Sequence, residues 1–420
     1  MHGSMARSNP RHQFWIDRGG TFTDCLHRDR LTGAIRVTKV LSSDEAPVLG
    51  IRELLGLRAG DPIPLAEVRM GTTLATNALL ERGGCRTVLV ADEGFGDLSW
   101  IGDQTRPDLF ALEIEKPKPL AEEVIEVAAR MTADGSVLRP LDLAMLRRSL
   151  QEALEHGAQS LAVSLIHAYR DGALEGRVAA IATELGFAHI SLSHEVSNEL
   201  GLLGRTDTTT ANAYLTPLLT QYMRKLEQEL GQARLRMMQS NGGLVDASAF
   251  IGRNAVVSGP AAGVVATGAV ADELGVAEAI GFDMGGTSTD VSRYAGHLLR
   301  VVVSQIGGSR IRAPMIELHT VAAGGGSICR LEAKRMTVGP QSAGADPGPI
   351  CYGKPGAEEL TLTDVSLCLG RLAEDRFPFA LNEEKPRRKL ERVAAELRAS
   401  GVERDPDEVA QGFLRVATEN

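Results

Sequence analysis

An eight-residue pattern, Asp-x-Gly-Gly-Thr-x-Thr-Asp, occurs twice in the chain and restricts the possible folds more than any other feature. The copies are DRGGTFTD at residues 17–24 and DMGGTSTD at residues 283–290. Each copy follows a short apolar segment and precedes another, so each predicts a strand, a glycine turn and a second strand. A glycine pair permits positive φ and lets backbone N–H groups approach an anion without an obstructing Cβ. Two such hairpins facing each other across a cleft would hold the β- and γ-phosphates of a nucleotide.

The residue types in each copy suit a phosphate site. The threonine hydroxyls add donors, and Asp17 and Asp283 stand at strand ends, where a carboxylate can hold water on Mg²⁺. A plain β-hairpin turn explains one copy equally well, but it explains two near-identical copies poorly. The duplication therefore predicts an α/β fold with two ATPase domains of the actin-like/hexokinase type (ribonuclease H-like). The residues expected to hold phosphate are Gly19, Gly20, Thr21, Thr23, Gly285, Gly286, Thr287 and Thr289.

Two other kinds of nucleotide site do not fit the sequence. No G-x-x-x-x-G-K-[ST] segment occurs, which excludes a P-loop. The paired glycines are followed by predicted strands and not by a helix, which disfavours a Rossmann dinucleotide site.

The composition is that of a soluble globular protein, with 420 residues, of which 43% are hydrophobic and 24% charged. This length predicts two or three domains, and the net charge of -9 argues against a nucleic-acid partner. Five cysteines without C-x-x-C spacing argue against a zinc site or a disulfide framework and favour a reducing cytoplasm. No apolar run reaches membrane-spanning length. Residues 1–12 lack the apolar core of a signal peptide and are expected to be a tag remnant or disordered.

Strand and helix patterns alternate along the chain, which predicts α/β layers with covered sheets. Residues 13–255 are expected to form a first actin-like domain with an insertion, and residues 256–420 a second, incomplete one. Glycine and proline are frequent in residues 304–360, which are expected to be mostly loop. Residues 383–420 are expected to be helical.

Polar residues near predicted element ends are further candidates for the cleft. Thr72 and Asn77 stand at the start of a predicted helix, where N–H groups bind anions, although ordinary N-capping fits them equally well. Asn241 and Gly242 follow a strand end, where a plain turn is nearly as good an explanation.

A second group of candidates comes from the glycine-rich segment. His319 precedes Gly324, Gly325 and Gly326, and three consecutive glycines favour a loop that closes over a ligand rather than a passive linker. Arg18 and Arg106 could meet a phosphate or a carboxylate, or could simply be solvated.

Eight segments, in order, resemble the hydantoinase/oxoprolinase family: DRGGTFTD, MGTTLATNALLERGG, QTRPDLF, SNGG, SGPAAGVV, FDMGGTSTDVS, ELHTVAAGGGSI and VGPQSAGADPGPICYG. The similarity runs from residue 13 over essentially the whole chain, and its opening FWIDRGGTFTD is most similar to the ATP-dependent 5-oxoprolinases. N-methylhydantoinase A-type proteins, which more often have an aliphatic residue in place of Arg18, and ATP-dependent ketone carboxylase subunits belong to the same family.

The resemblance implies ATP with Mg²⁺, phosphorylation of a lactam carbonyl and hydrolytic opening of the ring. It assigns Asp17 and Asp283 to catalysis through Mg²⁺, and it makes Asp24 and Asp290 braces of their own loops. The implied substrate is a small cyclic amide, 5-oxoproline before hydantoin. The implied partner is a B-type subunit or C-terminal domain, in an oligomer.

Family members carry a Gly-Gly-Ala-Gly adenosine loop beyond a helix like the one predicted at residues 405–420. The chain stops in mid-helix pattern without a glycine C-cap, so we expect a truncated chain or fragment that lacks the adenine pocket. Two other functions compete: a small-molecule kinase of the same fold, and a non-catalytic actin-like module. Such kinases lack the HTVAAGGGS and ADPGP segments, which disfavours the first of these.

Overall fold

The structure is a computed structural model that describes residues 10–103, 105, 109–114, 116–321, 323–332 and 335–419. Residues 1–9 of the expected tag remnant and the candidate Arg106 lie outside the described residues. Close to the start of the described part, the Arg11 side chain donates to Asp29 with an Nε–Oδ2 distance of 3.0 Å.

Helices and strands alternate in the first half of the chain, and strands come before helices in the second. The strands are β1 His12–Arg18, β2 Phe22–Asp29, β3 Ile35–Leu41, β4 Ala66–Thr72, β5 Thr87–Asp92, β6 Glu123–Val127, β7 Arg130–Met131, β8 Val137–Arg139, β9 Ser160–Ser164, β10 Ile190–Leu192, β11 Arg234–Met238, β12 Leu244–Asp246, β13 Glu278–Met284, β14 Thr289–Ala295, β15 Arg300–Ile306, β16 Ser309–Ile316, β17 His319–Val321, β18 Ser327–Glu332 and β19 Arg335–Ser342. The α-helices are α1 Ala46–Leu55, α2 Leu74–Leu80, α3 Leu98–Ile101, α4 Leu143–Glu155, α5 Ala173–Leu185, α6 Ser193–Val196, α7 Leu202–Leu230, α8 Ser258–Leu274, α9 Leu362–Cys368, α10 Glu384–Ala399 and α11 Pro406–Glu419.

A six-stranded sheet in the order β12-β11-β4-β1-β2-β3 carries the first copy of the motif. β1 is antiparallel to β2 and parallel to β4. Because side chains alternate along a strand, Phe14 and Ile16 share one face of β1, and both are buried. They join a core that includes Ile51 of α1 and Leu219 of α7. The first copy of the motif therefore extends from a fixed central strand.

A four-stranded parallel sheet in the order β10-β9-β5-β6 is inserted between β4 and β11 in the chain. Every residue of β5 and β9 is buried, as expected for parallel strands that are covered on both faces. The expected α/β class with parallel sheets is confirmed.

The second copy of the motif lies in a smaller sheet of the order β13-β14-β17. The hairpins β15–β16 and β18–β19 follow, so the prediction that residues 304–360 are mostly loop is wrong. Gly307 and Gly308 have φ values of 57° and 77° and form the two-residue turn between β15 and β16. The glycines thus mark turns between strands. The helical prediction for residues 383–420 is confirmed by α10 and α11.

Helix α8 joins the two motif-bearing sheets, because it packs on β4 and β11 of the first sheet and on β13 and β14 of the smaller one. Helix α8 and the turn before it form a helical segment, Gly252–Leu274, that is long and apolar enough to cross a membrane. The expectation that no apolar run reaches that length is therefore wrong. The packing of α8 between two sheets is that of a core helix in a globular protein.

Candidate active site

The two motif copies form the same tight hairpin. The Gly19 N–H donates to the Phe22 carbonyl at 3.1 Å, and the Gly285 N–H donates to the Ser288 carbonyl at 2.9 Å. In both hairpins the first and last aspartates of the motif are direct cross-strand partners. The motif therefore forms the same local geometry in both of its copies.

The fold brings the two hairpin tips together. A Cβ placed on Gly286 would overlap the hydroxyl of Thr21, and a Cβ placed on Gly20 would lie 3.7 Å from Oγ1 of Thr287. The close approach at Gly286 leaves no room for a side chain, whereas the contact at Gly20 is of ordinary van der Waals length.

The hairpins form one wall of a cleft of about 1190 Å³. Most of the residues expected to hold phosphate or metal line it, and so do Asn77 and His319 among the candidates from element ends. Its lining includes Asp17, Gly19, Gly20, Thr21, Asn77, Asp283, Gly285, Gly286, Thr287, His319, Gly325 and Gly326.

Acidic side chains dominate the charge of this cleft. Among the described residues that line it, Lys39 is the one lysine or arginine, and its Nζ lies 2.6 Å from Oδ2 of Asp24. Removal from bulk water, together with the nearby carboxylate of Asp283, raises the pKa of Asp17 to about 6. The carboxylates that line the cleft belong to Asp17, Asp24, Glu81, Asp283, Asp290 and Glu317.

The donor set fits a magnesium nucleotide. Within the described part of the chain, neither Asp17 nor Asp283 accepts a hydrogen bond or pairs with a cation, so both carboxylates are available to a metal and its water. Two carboxylates on one cleft suit an ion that takes few protein ligands and keeps water and phosphate oxygens, as Mg²⁺ does. The buried Thr21 hydroxyl has no protein partner in the described structure, and it is available to donate to a phosphate oxygen.

The N-terminus of α8 meets the first hairpin at the floor of the cleft. Gly259 and Pro260 line the cleft, and a Cβ on Gly259 would lie 3.5 Å from Oδ1 of Asp17. The helix approaches β4 just as closely, because a Cβ on Gly71 would lie 3.2 Å from Cα of Gly259. The positive end of the helix dipole therefore lies beside the carboxylate and would favour an anion there. The sequence SGPAAG indicates close packing, but its position beside Asp17 is evident only from the structure.

The glycine triplet supports the second hairpin from behind. The N–H groups of Gly325 and Gly326 donate to the carbonyls of Gly285 and Gly286 at 2.9 and 2.6 Å. A Cβ on Gly324 would come within 2.7 Å of the Ser288 nitrogen. The backbone donors of the triplet are thus used within the protein, and its main contribution is to fix the loop that lines the cleft.

The first hairpin is supported differently, by the side chain of Ser42. Its Oγ donates to the Gly19 carbonyl at 2.7 Å and lies 3.0 Å from Oγ1 of Thr23. Thr23 is fully buried and does not line the cleft. Its counterpart Thr289 is also buried and donates to the Ala323 carbonyl at 2.6 Å. The second threonine of each motif therefore braces its hairpin from outside the cleft.

Several other candidates also lie away from the cleft. Thr72 is buried, and its hydroxyl accepts from the Leu74 N–H at 3.2 Å. This local contact at the start of α2 agrees with a role in the helix terminus rather than with ligand binding. Asn241 and Gly242 form the turn between β11 and β12, where the Asn241 side chain accepts from the Gly243 N–H at 2.8 Å. The Arg18 guanidinium forms an ion pair with the Asp44 carboxylate, with 3.0 Å between the Arg18 nitrogen and Oδ1 of Asp44.

An aromatic cluster at the cleft was missed in the sequence. Phe22, at the start of β2, has its ring centroid 6.0 Å from Tyr352 and 6.0 Å from Phe377, and all three line the cleft. Phe379 completes the cluster, with its centroid 5.1 Å from that of Tyr352. Only Phe22 belongs to the motif, at the second of its two variable positions, and no spacing in the sequence connects it to residues more than 300 positions later.

Comparison with known proteins places the chain in a family. The Hydantoinase/oxoprolinase family matches residues 205–420, and the Hydantoinase/oxoprolinase N-terminal region matches residues 13–186. The chain belongs to the hydantoinase/oxoprolinase family. The resemblance expected from its motifs is thereby confirmed.

Individual relatives are longer than this chain. 5-Oxoprolinase 1 of Arabidopsis thaliana is 41% identical over 97% of the chain and 36% of its own length. The chain thus spans about a third of the curated 5-oxoprolinases that it matches. Caprolactamase subunit alpha of Pseudomonas jessenii is 35% identical over 87% of the chain and 56% of its own length.

Two solved structures share the fold. The crystal structure of the ATP-dependent caprolactamase from Pseudomonas jessenii is 31% identical, with a TM-score of 0.72, and the match covers 97% of this chain and 62% of that one. The nucleotide-free structure of acetone carboxylase has a TM-score of 0.83 at 22% identity, over 97% of this chain and 61% of that one. The second likeness, at this identity, concerns the fold alone.

Proposed function

We propose that this chain is the ATP-handling part of an enzyme that hydrolyses a cyclic amide, with 5-oxoproline converted to glutamate as the preferred reaction. The observation that carries the proposal is the pair of facing glycine hairpins with Asp17 and Asp283 in one acidic cleft. The likeness to 5-oxoprolinases and to a caprolactamase gives the substrate class, since both names describe enzymes of cyclic amides.

The chemistry explains why a nucleotide is needed. The oxygen of a lactam is a poor leaving group and its carbon a poor electrophile, so water alone opens the ring slowly. When bound, MgATP supplies a γ-phosphoryl group that converts the lactam oxygen into a leaving group and so makes the ring carbon open to water.

The residues of this chain then have distinct tasks. The carboxylates of Asp17 and Asp283 hold the water shell of Mg²⁺. The Thr21 hydroxyl and the N–H groups of the hairpin tips receive the phosphate oxygens, in a cleft whose donors are already fixed by the fold. The aromatic cluster around Phe22 offers an apolar wall to the substrate ring.

The fold proposal is an actin-like, ribonuclease H-like ATPase with two related domains, at residues 13–255 and 256–420. The strand order β3-β2-β1-β4-β11 in the first sheet supports it, because the motif strand is central and has one antiparallel and one parallel neighbour. The second motif strand, β13, also has an antiparallel neighbour, β14, in the position equivalent to β2.

The remaining parts of the proposal concern the assembly. A B-type subunit or C-terminal domain completes the ring-opening site, and the enzyme is a cytoplasmic oligomer. The name "subunit alpha" of the caprolactamase supports the first of these, since it describes one subunit of several.

The test is ADP release by the enzyme assembled with its B-type part. 5-Oxoproline is expected to stimulate ADP release most, ahead of hydantoin and N-methylhydantoin. Stimulation by acetone with bicarbonate alone would replace the amidohydrolase with a carboxylase, and a stable phosphorylated product would indicate a kinase. Stimulation by none of these substrates would contradict the proposal.

The metal assignment is tested by Asp17→Ala and Asp283→Ala in the same assembled enzyme. Each substitution is expected to lower turnover by about 100-fold or more, because a group that organises transition-state charge is lost. The control is Asp246→Ala, which removes an exposed ion pair with Arg234 (2.9 Å) outside the cleft and should leave turnover unchanged. Full activity in both cleft variants would overturn the assignment.

A further inference from the structure

The side chain of Asn77 lies in the cleft beside the tip of the first hairpin. It belongs to the face of helix α2 that lines the cleft, which consists of Thr73, Thr76, Asn77, Leu80 and Glu81. A Cβ placed on Gly20 would lie 3.8 Å from Nδ2 of Asn77, so the carboxamide reaches the glycine pair of the motif. The proposed function places phosphate oxygens at this tip, and Asn77 therefore borders the reacting centre.

The carboxamide of Asn77 has no partner, in contrast to the hydroxyls on the same helix face. The Thr73 hydroxyl donates to the Arg18 carbonyl at 3.4 Å, and the Thr76 hydroxyl donates to the Val256 carbonyl. Within the described part of the chain, no group forms a hydrogen bond with the carboxamide of Asn77. A carboxamide carries two donor hydrogens and an acceptor oxygen, and here all of them are available to a ligand.

Apolar side chains are exposed in the same part of the cleft. Leu80 follows Asn77 by three positions, so the two are neighbours on the helix surface, and it is 60% exposed. Val303 of β15 also lines the cleft and is 50% exposed. The β15–β16 turn touches α2, since a Cβ on Gly307 would lie 2.8 Å from the Leu79 carbonyl oxygen. One orienting polar group among exposed apolar side chains is typical of a small-molecule site.

The substrate class supplies a complementary edge. A small ring fixes its amide in the cis arrangement, so the N–H and the C=O of a lactam point to the same side. A carboxamide side chain presents an acceptor oxygen and a donor N–H side by side, and it can pair with that edge through two hydrogen bonds. An open-chain trans amide cannot pair in this way, because its N–H and C=O point in opposite directions.

We propose that Asn77 is the residue that recognises the cyclic amide: its Oδ1 accepts from the ring N–H, and its Nδ2 donates to the ring carbonyl oxygen. One lone pair of that oxygen is used by Asn77, and the other stays available to phosphorus at the Gly20 tip. Leu80 offers its exposed side chain to the ring methylenes. The inference rests on the proposed function for its substrate class, and it adds the group that selects an amide held in a ring.

Binding of two matched ligands tests the hydrogen bond to the ring N–H. The ligands are 5-oxoproline and N-methyl-5-oxoproline, which lacks that N–H, and equilibrium dialysis with the assembled enzyme measures their Kd. The wild type is expected to bind 5-oxoproline about tenfold or more tightly, because the methyl group leaves the Asn77 oxygen unpaired. Asn77→Leu should lower this preference to less than about threefold. An unchanged preference in Asn77→Leu would overturn the proposal.

Asn77→Asp tests the same contact with a side chain of the same shape. It keeps the acceptor oxygen and loses the N–H donor, so both ligands should bind more weakly while the preference for 5-oxoproline is retained. Asn198→Asp makes the same change at an exposed position outside the cleft lining, and it should leave both Kd values unchanged. Loss of the preference in Asn77→Asp would contradict the acceptor role of Asn77.

Two further measurements separate this inference from the proposed function. If 5-oxoproline binds to the wild type with the expected preference but does not stimulate ADP release, the proposed function fails and the binding role of Asn77 stands. If the wild type does not bind 5-oxoproline, both fail. The affinity of Asn77→Leu for MgATP, measured by calorimetry, should match that of the wild type. A loss of MgATP affinity as large as the loss of 5-oxoproline affinity would assign Asn77 to the phosphate and overturn the inference.

Discussion

The two phosphate hairpins share a sequence and a turn but occupy different surroundings. The first extends from the centre of a six-stranded sheet, and the second extends from the edge of a three-stranded one. The first is held by the hydroxyl of Ser42, whereas the second is held by the backbone of the glycine triplet at residues 324–326. An eight-residue motif thus specifies its own hairpin, while the elements that bury and brace it come from distant parts of the chain.

The largest expected difference between the two hairpins is in stability. It can be tested with an isoleucine-to-alanine substitution in each motif strand. Ile16→Ala is expected to lower the free energy of unfolding by about 2–5 kcal/mol, because it leaves a cavity in a packed core. Ile280→Ala should change it by less than about 0.5 kcal/mol, because the side chain is already exposed. Urea denaturation of the isolated chain measures both. Similar losses at the two positions would mean that the two strands are equally buried in solution.

The next effect concerns the contact between the hairpin tips. Gly286→Ala places a methyl group on the Thr21 hydroxyl, so the two tips must separate. Affinity for MgATP in the assembled enzyme is expected to fall about tenfold or more, corresponding to a cost of about 1.4 kcal/mol. Isothermal titration calorimetry measures this loss.

Gly20→Ala provides the matched control, since its methyl group meets Thr287 and Asn77 at ordinary contact distances of 3.7 and 3.8 Å. Its effect on affinity should be several times smaller. Equal losses from the two substitutions would argue against the close approach of the tips.

A smaller effect separates the two ways in which the hairpins are braced. Ser42→Ala removes the hydroxyl that supports the Gly19 carbonyl and is expected to cost about 1 kcal/mol in stability. In the second hairpin the corresponding carbonyl, that of Gly285, accepts from the backbone N–H of Gly325, which a side-chain deletion does not remove. Urea denaturation measures this loss of stability. The control is Ser304→Ala in β15, which removes the same hydroxyl group at another position. A loss from Ser42→Ala no larger than that of the control would remove the assigned role.

The smallest effect is a pH dependence of the metal-free protein. The pKa of Asp17 is raised from 3.8 to about 6 in the folded state, so the folded state holds a proton that the unfolded state releases. The contribution of Asp17 to stability is therefore present below about pH 4 and is lost as the pH rises through about 6. Because more than a third of the Asp17 surface is open to water, screening keeps the effect small.

Asp17→Asn should remove that dependence. The variant is expected to be at least as stable as the wild type at pH 7 and to gain less on acidification from pH 7 to 5. Thermal unfolding in the presence of a chelator measures both. A wild type that loses stability as the pH falls from 7 to 5, relative to the variant, would reverse the sign and contradict the raised pKa of this carboxylate.

Much of the first half could be predicted from the sequence, because its strands and helices alternate and each has a clear apolar pattern. The residues of α4 and β9, for example, lie in the alternating helix and strand patterns from which α/β layers were predicted. The β15–β16 and β18–β19 hairpins were missed because their segments contain glycine and proline, which are also typical of a loop: Gly307, Gly308 and Pro314 in the first, and Gly339 and Pro340 in the second. The register shift within β18–β19 interrupts the alternation that would otherwise indicate strands.

For the candidate site, the motif predicted the hairpin tips and the leading aspartates, and the structure places them in one cleft. It could not predict which hydroxyls face that cleft. Thr21 and Thr23 are two residues apart and on the same hairpin, yet one lines the cleft and the other is braced by Ser42. The partner of Thr23, Ser42, is brought to it by tertiary packing, which leaves no signal in the motif itself.

The acidic lining of the cleft has a consequence for how its ligands interact. Among the described residues that line the cleft, carboxylates outnumber the single lysine, Lys39, so a bare triphosphate would meet net repulsion, while a divalent cation alone would lack the phosphate oxygens that complete its shell. Each ligand therefore lowers the cost of binding the other, and by thermodynamic reciprocity the coupling free energy is the same in both directions. On the proposed function, occupancy of the cleft would respond to the product of the two ligand concentrations, and free magnesium would regulate it as much as the nucleotide does.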